Sequence, residues 1–303
     1  MAQLPQLLFV DTNIWLDFYR AKTDAALALL RHLETISDRI IVTHQLEMEF
    51  KKNRQNAIWE GLQELKSPQQ IQRPGLFSDA KEVRSIQDGI KAADARVKKL
   101  RDRYIKALQK PTVHDPVFKI CQRIFHKKNN LHLAREDKER HVIKRKAFRR
   151  FILGCPPRKK SDTSIGDAVN WEWMVHCAVA RKAELVIVSR DSDYGITFDG
   201  SSVINDHLAQ EFSERVSRRR KVVLFSKLSD ALKLFRVPVT VKEEQEEEVL
   251  VQTSEVTTGT MTSTNETLRD IVKYLVENGY MQEGTDKRGA NPNVLKIGVS
   301  DSV

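Results

Sequence analysis

The chain has few cysteines and no long apolar run. Its three cysteines, Cys121, Cys155 and Cys177, are odd in number and lie 34 and 22 residues apart, which fits neither a disulfide framework nor the paired spacing of a zinc site. They are predicted to be reduced and structural. No window approaches 18 consecutive apolar residues, and no cationic flank followed by an apolar run opens the chain. Neither a membrane span nor a signal peptide is therefore predicted, and a cytoplasmic location is expected.

Several catalytic motifs are also absent. The segment from Gly154 to Ser161 lacks the second glycine that a phosphate-binding P-loop requires. The eight histidines show no ligand-like pairing, which disfavours a zinc site. A phosphatase of the haloacid-dehalogenase type needs a second acid two residues after the first one, and that position is Asn13.

Basic residues are abundant and concentrated in one part of the chain. The 303 residues carry a formal net charge of +10, and 40% of them are hydrophobic, enough to bury a core. Residues 96–160 contain 22 Lys and Arg against 5 Asp and Glu, an excess of 17, so the remainder is net acidic by 7. Such a run is either a solvated face or a surface that contacts phosphates, and the size of the excess favours phosphate contact. Aromatic residues are sparse there, which favours contact with a nucleic-acid backbone over base stacking.

Short apolar strands alternate with helical patterns at both ends of this basic region. The predicted strands are Leu7–Val10, Arg39–Thr43, Leu185–Val188 and Val222–Phe225. Their alternation with helices predicts an α/β fold with a doubly wound, mainly parallel sheet. Residues 1–67 and 154–237 are assigned to this domain.

Three further segments are predicted from composition. Residues 68–153 are expected to be a basic α-helical insertion, with long helices at Ser78–Gln109 and Asp115–Phe151. Residues 238–264 contain five closely spaced glutamates and then a Thr/Ser/Gly stretch, which predicts a disordered acidic and polar linker. The tail, residues 265–303, is too small to fold alone.

Four acidic residues are predicted to meet at one edge of the sheet. Asp11 follows the first strand, and Asp191 follows the strand Leu185–Val188. Glu49 lies on the helix after the second strand, and Asp167 opens the helix that precedes Leu185. Clustered carboxylates repel one another unless a cation lies between them, and oxygen ligands suit Mg²⁺ or Mn²⁺. The arrangement predicts metal-dependent cleavage of phosphodiester bonds.

Each assignment has a competing interpretation. Asp11 and Asp167 could serve only as helix caps, and the acids after the strand could close a turn. Glu47 is an alternative to Glu49, although Glu49 lies nearer the inward face of its helix. Asp193 is an alternative or additional ligand beside Asp191.

The segments that carry these acids resemble the PIN-domain nucleases, and among them a PIN-like bacterial group with a long helical insertion. The matching segments are VDTNIWLDFY, HQLEMEFKKNR, the run from PPRKK to SIGDAVNWEW, and VIVSRDSDYG, within residues 5–58 and 154–236. The resemblance implies that Asp11, Glu49, Asp167 and Asp191 bind the metal, with Thr12 or Asn13 shaping the first ligand. It also implies RNA hydrolysis as the commonest activity.

The expected partner is therefore nucleic acid, with RNA favoured over DNA. A structure-specific DNA nuclease and a catalytically silent nucleic-acid-binding module remain alternatives, because the sequence does not distinguish a reader of the 2′-hydroxyl from a protein that contacts only phosphates. A homo-oligomer, or a regulatory protein bound through the C-terminal tail, is a further expectation. Residues expected to contact nucleic acid are Thr12, Asn13, Lys144, Arg145, Lys146, Arg149, Arg150, Arg158, Lys159 and Lys160.

Overall fold

A computed structural model of the chain describes residues 4–69, 75–77, 80–157, 164–198 and 200–257. The predicted tail, residues 265–303, lies outside these ranges. Within them, no helix is both long enough and apolar enough to cross a membrane.

Five parallel strands form the central sheet in the order β3-β2-β1-β4-β7. Apolar side chains fill the middle strands, which are buried on both faces as expected of a parallel sheet covered by helices. Phe9 of β1 pairs with Ile41 of β2 on one side and with Ile187 of β4 on the other. The strands are β1 (Gln6–Val10), β2 (Ile40–Thr43), β3 (His132–Leu133), β4 (Glu184–Val188) and β7 (Val222–Phe225); β5 (Gly195–Phe198) and β6 (Ser201–Ile204) form a separate antiparallel hairpin.

Helices flank this sheet and connect its strands. The chain first adds β2 and β3 on one side of β1, and later adds β4 and β7 on its other side. This arrangement confirms the predicted doubly wound, mainly parallel α/β fold. The helices are α1 (Thr12–Arg20), α2 (Asp24–Thr35), α3 (His44–Glu64), α4 (Lys81–Gln109), α5 (Pro111–His114), α6 (Pro116–Phe125), α7 (Glu139–Ile152), α8 (Gly166–Arg181), α9 (Asp206–Arg215), α10 (Leu228–Leu234) and α11 (Val241–Thr257).

The predicted helix from Asp115 to Phe151 is wrong, because the structure has α6, β3 and α7 in its place. Side chains of the intervening loop bind nearby backbone groups: Asn129 Oδ1 accepts the N–H of Leu131, and Asp137 Oδ2 accepts that of Ala134. Such local hydrogen bonds compete with helix formation. The short apolar strand β3 then pairs with β2, and α6 buries its apolar face in the core, so this part of the predicted insertion packs on the sheet.

The prediction of a disordered linker is also wrong over Val241–Thr257, where α11 forms. The glutamates that suggested disorder instead bind specific partners. Glu247 accepts the backbone N–H groups of Leu228 and Ser229, which open α10, and Glu243 lies 3.2 Å from His32 Nε2. The acidic helix is thereby held against the domain. The chain up to Val256 forms one compact unit.

Candidate active site

Asp11 lies at the carboxyl end of β1, where it also caps α1. Its Oδ1 accepts the N–H of Thr12 at 2.7 Å, and its Oδ2 accepts the hydroxyl of Ser189 at 2.5 Å. Ser189 directly follows β4, so the ends of two neighbouring strands hold this carboxylate. Only 3% of Asp11 is exposed. The capping interpretation is therefore correct as far as it goes, but it leaves the buried negative charge to be explained.

Asp191 is joined to Asp11 through Asn13 in the first turn of α1. Asn13 Nδ2 lies 3.2 Å from Asp191 Oδ1 and 3.4 Å from Asp11 Oδ2. The backbone N–H of Asp191 also donates to the Ser189 hydroxyl, at 3.0 Å. Two acids from neighbouring strand ends thus share one amide and one hydroxyl.

Glu49 reaches the same edge from the second turn of α3. Its Oε2 accepts the Thr12 hydroxyl at 3.3 Å, and its Oε1 accepts the Gln45 amide at 2.7 Å. A Cβ atom at Gly166 would lie 2.5 Å from Glu49 Oε1, closer than the two atoms can approach. Gly166 opens α8, so the absence of a side chain there lets Glu49 approach the helix end that carries Asp167.

Tyr194 is a buried phenol on which the charges of all four acids act. Burial raises the pKa of this phenol well above its usual value, and the negative charges of Asp167, Asp11, Glu49 and Asp191 raise it further. Its hydroxyl is buried and has no hydrogen-bond partner among the described residues. All four acids thus act on the same phenol, and Asp167, in the first turn of α8, directly follows Gly166, the residue that Glu49 approaches.

Burial and the neighbouring acids raise the affinity of Asp11 for a proton. The pKa of Asp11 rises from 3.8 to about 7, chiefly because the carboxyl group is buried, and then because Asp191 and, more weakly, Glu49 repel its charge. The hydrogen bonds from Ser189 and Thr12 oppose this rise. As their side chains lie, no group of three His, Cys, Asp or Glu residues in the described part of the chain is arranged to hold a metal ion.

The two alternative acids lie in different surroundings. Glu47 is engaged by Lys51 Nζ at 2.6 Å and by His126 Nε2 at 2.8 Å, and these contacts hold its pKa below the usual value although burial opposes them. Glu47 therefore already has ion-pair partners of its own. Asp193 is half-buried near the end of β4, but the Asn13 bridge to Asp11 is made by Asp191.

Sequence reasoning missed three residues that shape the site: Ser189, Gln45 and Tyr194. Each lies within four residues of a predicted acid. Ser189 also directly follows a buried strand, a position that could have indicated it. No comparable signal marked Gln45, because its role depends on the rotation of α3, or Tyr194, whose ring packs against Phe9 of β1.

The predicted nucleic-acid contacts on α7 divide into two groups. Lys144, Arg145, Lys146 and Arg149 are exposed. Arg150 is buried and paired with Glu172 of α8 and Glu211 of α9, so its position does not fit the predicted contact. The apolar side of α7 faces α8, and Arg150 falls on that side because it follows the buried Ile143 and Ala147 at helical spacing. Arg158, Lys159 and Lys160 lie outside the described residues.

Comparison with protein families identifies the family of this chain. A protein-family model with the description PIN domain matches residues 8–194, more than half of the chain. The matched region contains Asp11, Glu49, Asp167 and Asp191, together with Ser189 and Tyr194. No curated protein and no solved structure matches the chain.

Proposed function

The chain belongs to the PIN-domain family, in general a family of metal-dependent nucleases, and we propose that it cleaves single-stranded RNA with Mg²⁺ or Mn²⁺. One observation carries the proposal: the buried carboxylate of Asp11 is held beside Asp191 and Glu49, with Asp167 at the same sheet edge. Folding brings like charges together here at a cost in stability, and a bound cation would offset that cost.

The chemistry of the four carboxylates suits a hard divalent cation. The four acids offer only oxygen ligands, which Mg²⁺ and Mn²⁺ prefer. Burial and neighbouring acids raise the pKa of Asp11 to about 7, and a cation would reverse that shift by favouring the ionised form. The Tyr194 hydroxyl is a buried donor without a partner among the described residues, as expected beside a site that holds ordered water. Asp11, Glu49, Asp167 and Asp191 would hold the ion, with Asp193 as a further ligand.

The chemistry divides between the ion and the protein. A bound divalent ion lowers the pKa of a water molecule and neutralises charge on the scissile phosphate. The protein's own groups fix the carboxylates: Asn13 holds Asp191 against Asp11, Thr12 and Gln45 hold Glu49, and Ser189 holds Asp11. These hydrogen bonds preorganise the site.

A basic surface lies on the helix next to the one that carries Asp167. Arg150 of α7 pairs with Glu172, which follows Asp167 by five residues, or about 7.5 Å along the axis of α8. The exposed cations of α7, Lys144, Arg145, Lys146 and Arg149, are therefore proposed to contact the phosphates of a strand that enters the site.

Two other functions remain to be tested against this one. A DNA-directed nuclease would use the same acids and the same cations, since phosphate contacts do not read the sugar. A silent binding module would need the acids only as caps. That account covers Asp11, but the N-cap of α8 is Ile165, whose side chain cannot accept a hydrogen bond, and Glu49 lies in the second turn of α3.

The deciding experiment offers end-labelled single-stranded RNA, single-stranded DNA and a DNA flap to the purified full chain, with Mg²⁺, Mn²⁺ or excess EDTA. We expect RNA to be cut fastest and cutting to stop in EDTA. Asp11→Asn and Asp167→Asn should each lower turnover by about 100-fold or more, because each removes a metal ligand. Asp88→Asn, an exposed acid on α4, is the matched control and should cut normally.

Each part of the proposal can fail separately. Cutting that persists in EDTA would contradict the metal mechanism, and faster cutting of DNA would contradict the choice of RNA. Binding without cutting under all conditions would favour the silent module.

A further inference from the structure

Helix α4 is the longest helix in the described part of the chain, and there the domain holds only its C-terminal end. Its 29 residues span about 43 Å. Ile105 is its one buried side chain, and the anchoring hydrogen bonds join Arg101 to the carbonyl of Leu65 and Arg54 to that of Ala107. Between residues 81 and 100 no side chain is buried. A helix this long depends on packing of an apolar face for most of its stability.

Such a face is present, and it has the spacing of a coiled coil. Six apolar residues follow one another at alternating intervals of three and four, the a and d positions of a heptad repeat. Ile86 is 46% exposed and Leu100 is 40% exposed. We define this face as the heptad seam: Val83, Ile86, Ile90, Ala93, Val97 and Leu100.

We propose that the heptad seam binds the same seam of a second copy of this chain, in antiparallel orientation, and so makes the protein a homodimer. The seam has the symmetry that this pairing needs. Its centre falls between Ile90 and Ala93, so that an antiparallel partner places an a position opposite a d position in every layer. The layers pair Val83 with Leu100, Ile86 with Val97, and Ile90 with Ala93 of the second copy.

The charges beside the seam favour the antiparallel orientation. In a parallel pair, the g and e positions face each other and Arg96 would lie against Arg101 of the second copy. In the antiparallel pair, Glu82 faces Arg103 of the second copy, and no like charges meet at these positions. The basic half of the helix, after residue 95, then lies along the nearly neutral half of its partner. Such complementarity sets orientation more than affinity.

The first test measures mass by sedimentation equilibrium of the full chain across the micromolar range. We expect a dimer for the natural chain and a monomer for Ile90→Asp, because a charge in the central layer would be buried without a partner. The dissociation constant should rise at least about 100-fold. Ala95→Asp, at an exposed position on the opposite side of α4, is the matched control and should remain dimeric. Circular dichroism should show unchanged helix content in Ala95→Asp, and in Ile90→Asp a loss no larger than α4 itself, because only that helix loses the packing of its apolar face.

A natural chain that stays monomeric throughout, or an Ile90→Asp chain that stays dimeric, would overturn the proposal. The first result would mean that the seam is covered within the monomer or by another protein.

The second test fixes the orientation by cross-linking. A chain with Ile86→Cys is mixed with a chain that carries Val97→Cys, and both are oxidised. These positions face each other only in the antiparallel pair, so we expect a disulfide-linked heterodimer from the mixture and none from either variant alone. A linked homodimer of Ile86→Cys alone would show a parallel pair and overturn the antiparallel assignment.

Discussion

Asp11 combines two roles that oppose each other energetically. As the N-cap of α1 its carboxylate stabilises the first turn of that helix, an interaction that favours the ionised form. Burial and the repulsion from Asp191 and Glu49 favour the protonated form, and they prevail, because the pKa rises to about 7. A residue kept only for capping would be better placed where water could reach it.

The raised pKa predicts a pH-dependent effect of Asp11→Asn. Between its unfolded value near 4 and its folded value of about 7, the folded state binds the proton more strongly, so the stability contributed by Asp11 falls as pH rises through this range. In EDTA, Asp11→Asn should therefore raise the free energy of unfolding more at pH 8 than at pH 5, by a few kcal/mol. Urea unfolding at both values measures this. An equal effect at pH 5 and pH 8 would contradict the assigned shift.

Tyr194 gives a second prediction at this scale. Tyr194→Phe removes only the hydroxyl that lacks a partner among the described residues. In EDTA the variant should be as stable as the natural chain or more stable, by up to about 1–3 kcal/mol, because an unsatisfied buried donor is lost. Its affinity for Mn²⁺, measured by calorimetry, should fall if that hydroxyl orients water beside the ion. Tyr104→Phe on α4 is the control, and equal Mn²⁺ affinity in all three proteins would contradict the role.

At the scale of elements, α11 shows how composition can mislead. A run of five glutamates within six residues, 243–248, predicts self-repulsion and disorder. In the structure, however, Glu247 is 3% exposed and accepts two backbone N–H groups, while Glu248 pairs with Lys227 and Glu244 with Lys233. Folding alone brings the partners of these glutamates to α11, so the sequence pattern does not show them.

Glu247→Ala tests the docking of α11. The substitution leaves the N–H groups of Leu228 and Ser229 without their acceptor at the start of α10. We expect a loss of about 2–4 kcal/mol in the free energy of unfolding and earlier proteolysis within α11. Glu246→Ala, on the same helix but half-exposed, should cost less than about 0.5 kcal/mol. Similar stabilities for the two variants would show that α11 does not depend on Glu247.

The predictable parts of this protein were those determined by local pattern. Apolar runs such as LLFV and LVIV became strands, and each acid that follows one, Asp11 and Asp191, lies at the expected sheet edge. The break between α6 and α7 was missed because it depends on the pairing of β3 with β2. That pairing is a tertiary contact, which a local sequence pattern does not show. Arg150 was misassigned for a related reason: a cationic run shows charge but does not show which side of the helix is covered.

For the whole molecule, the exposed cations of α7 give a prediction about binding. Replacing Lys144, Arg145, Lys146 and Arg149 with Gln should flatten the salt dependence of affinity for single strands by about one to three units, since each phosphate contact contributes a slope of about −0.7. The single-turnover rate at saturating substrate should be kept, because these cations lie apart from the four acids. Affinities across a salt series measure the slope. An unchanged slope would mean that nucleic acid enters elsewhere.

The place of β1 in the sheet also constrains how the protein is made. β1 is synthesised before the other four strands of this sheet and lies in its middle, with β2 on one side and β4 on the other. The ribosome must add 145 further residues after Thr43 before Val188 completes that second side, on the order of ten seconds at typical rates. Throughout that time the nascent chain has one open edge of its central strand.

We predict that nascent chains ending before Glu184 are digested readily by protease and that resistance begins only once β4 and β7 have emerged. Early resistance would contradict this order. An unpaired strand edge can pair with other chains, so a codon change that slows translation between Thr43 and Glu184 should lower the yield of folded protein without altering any residue.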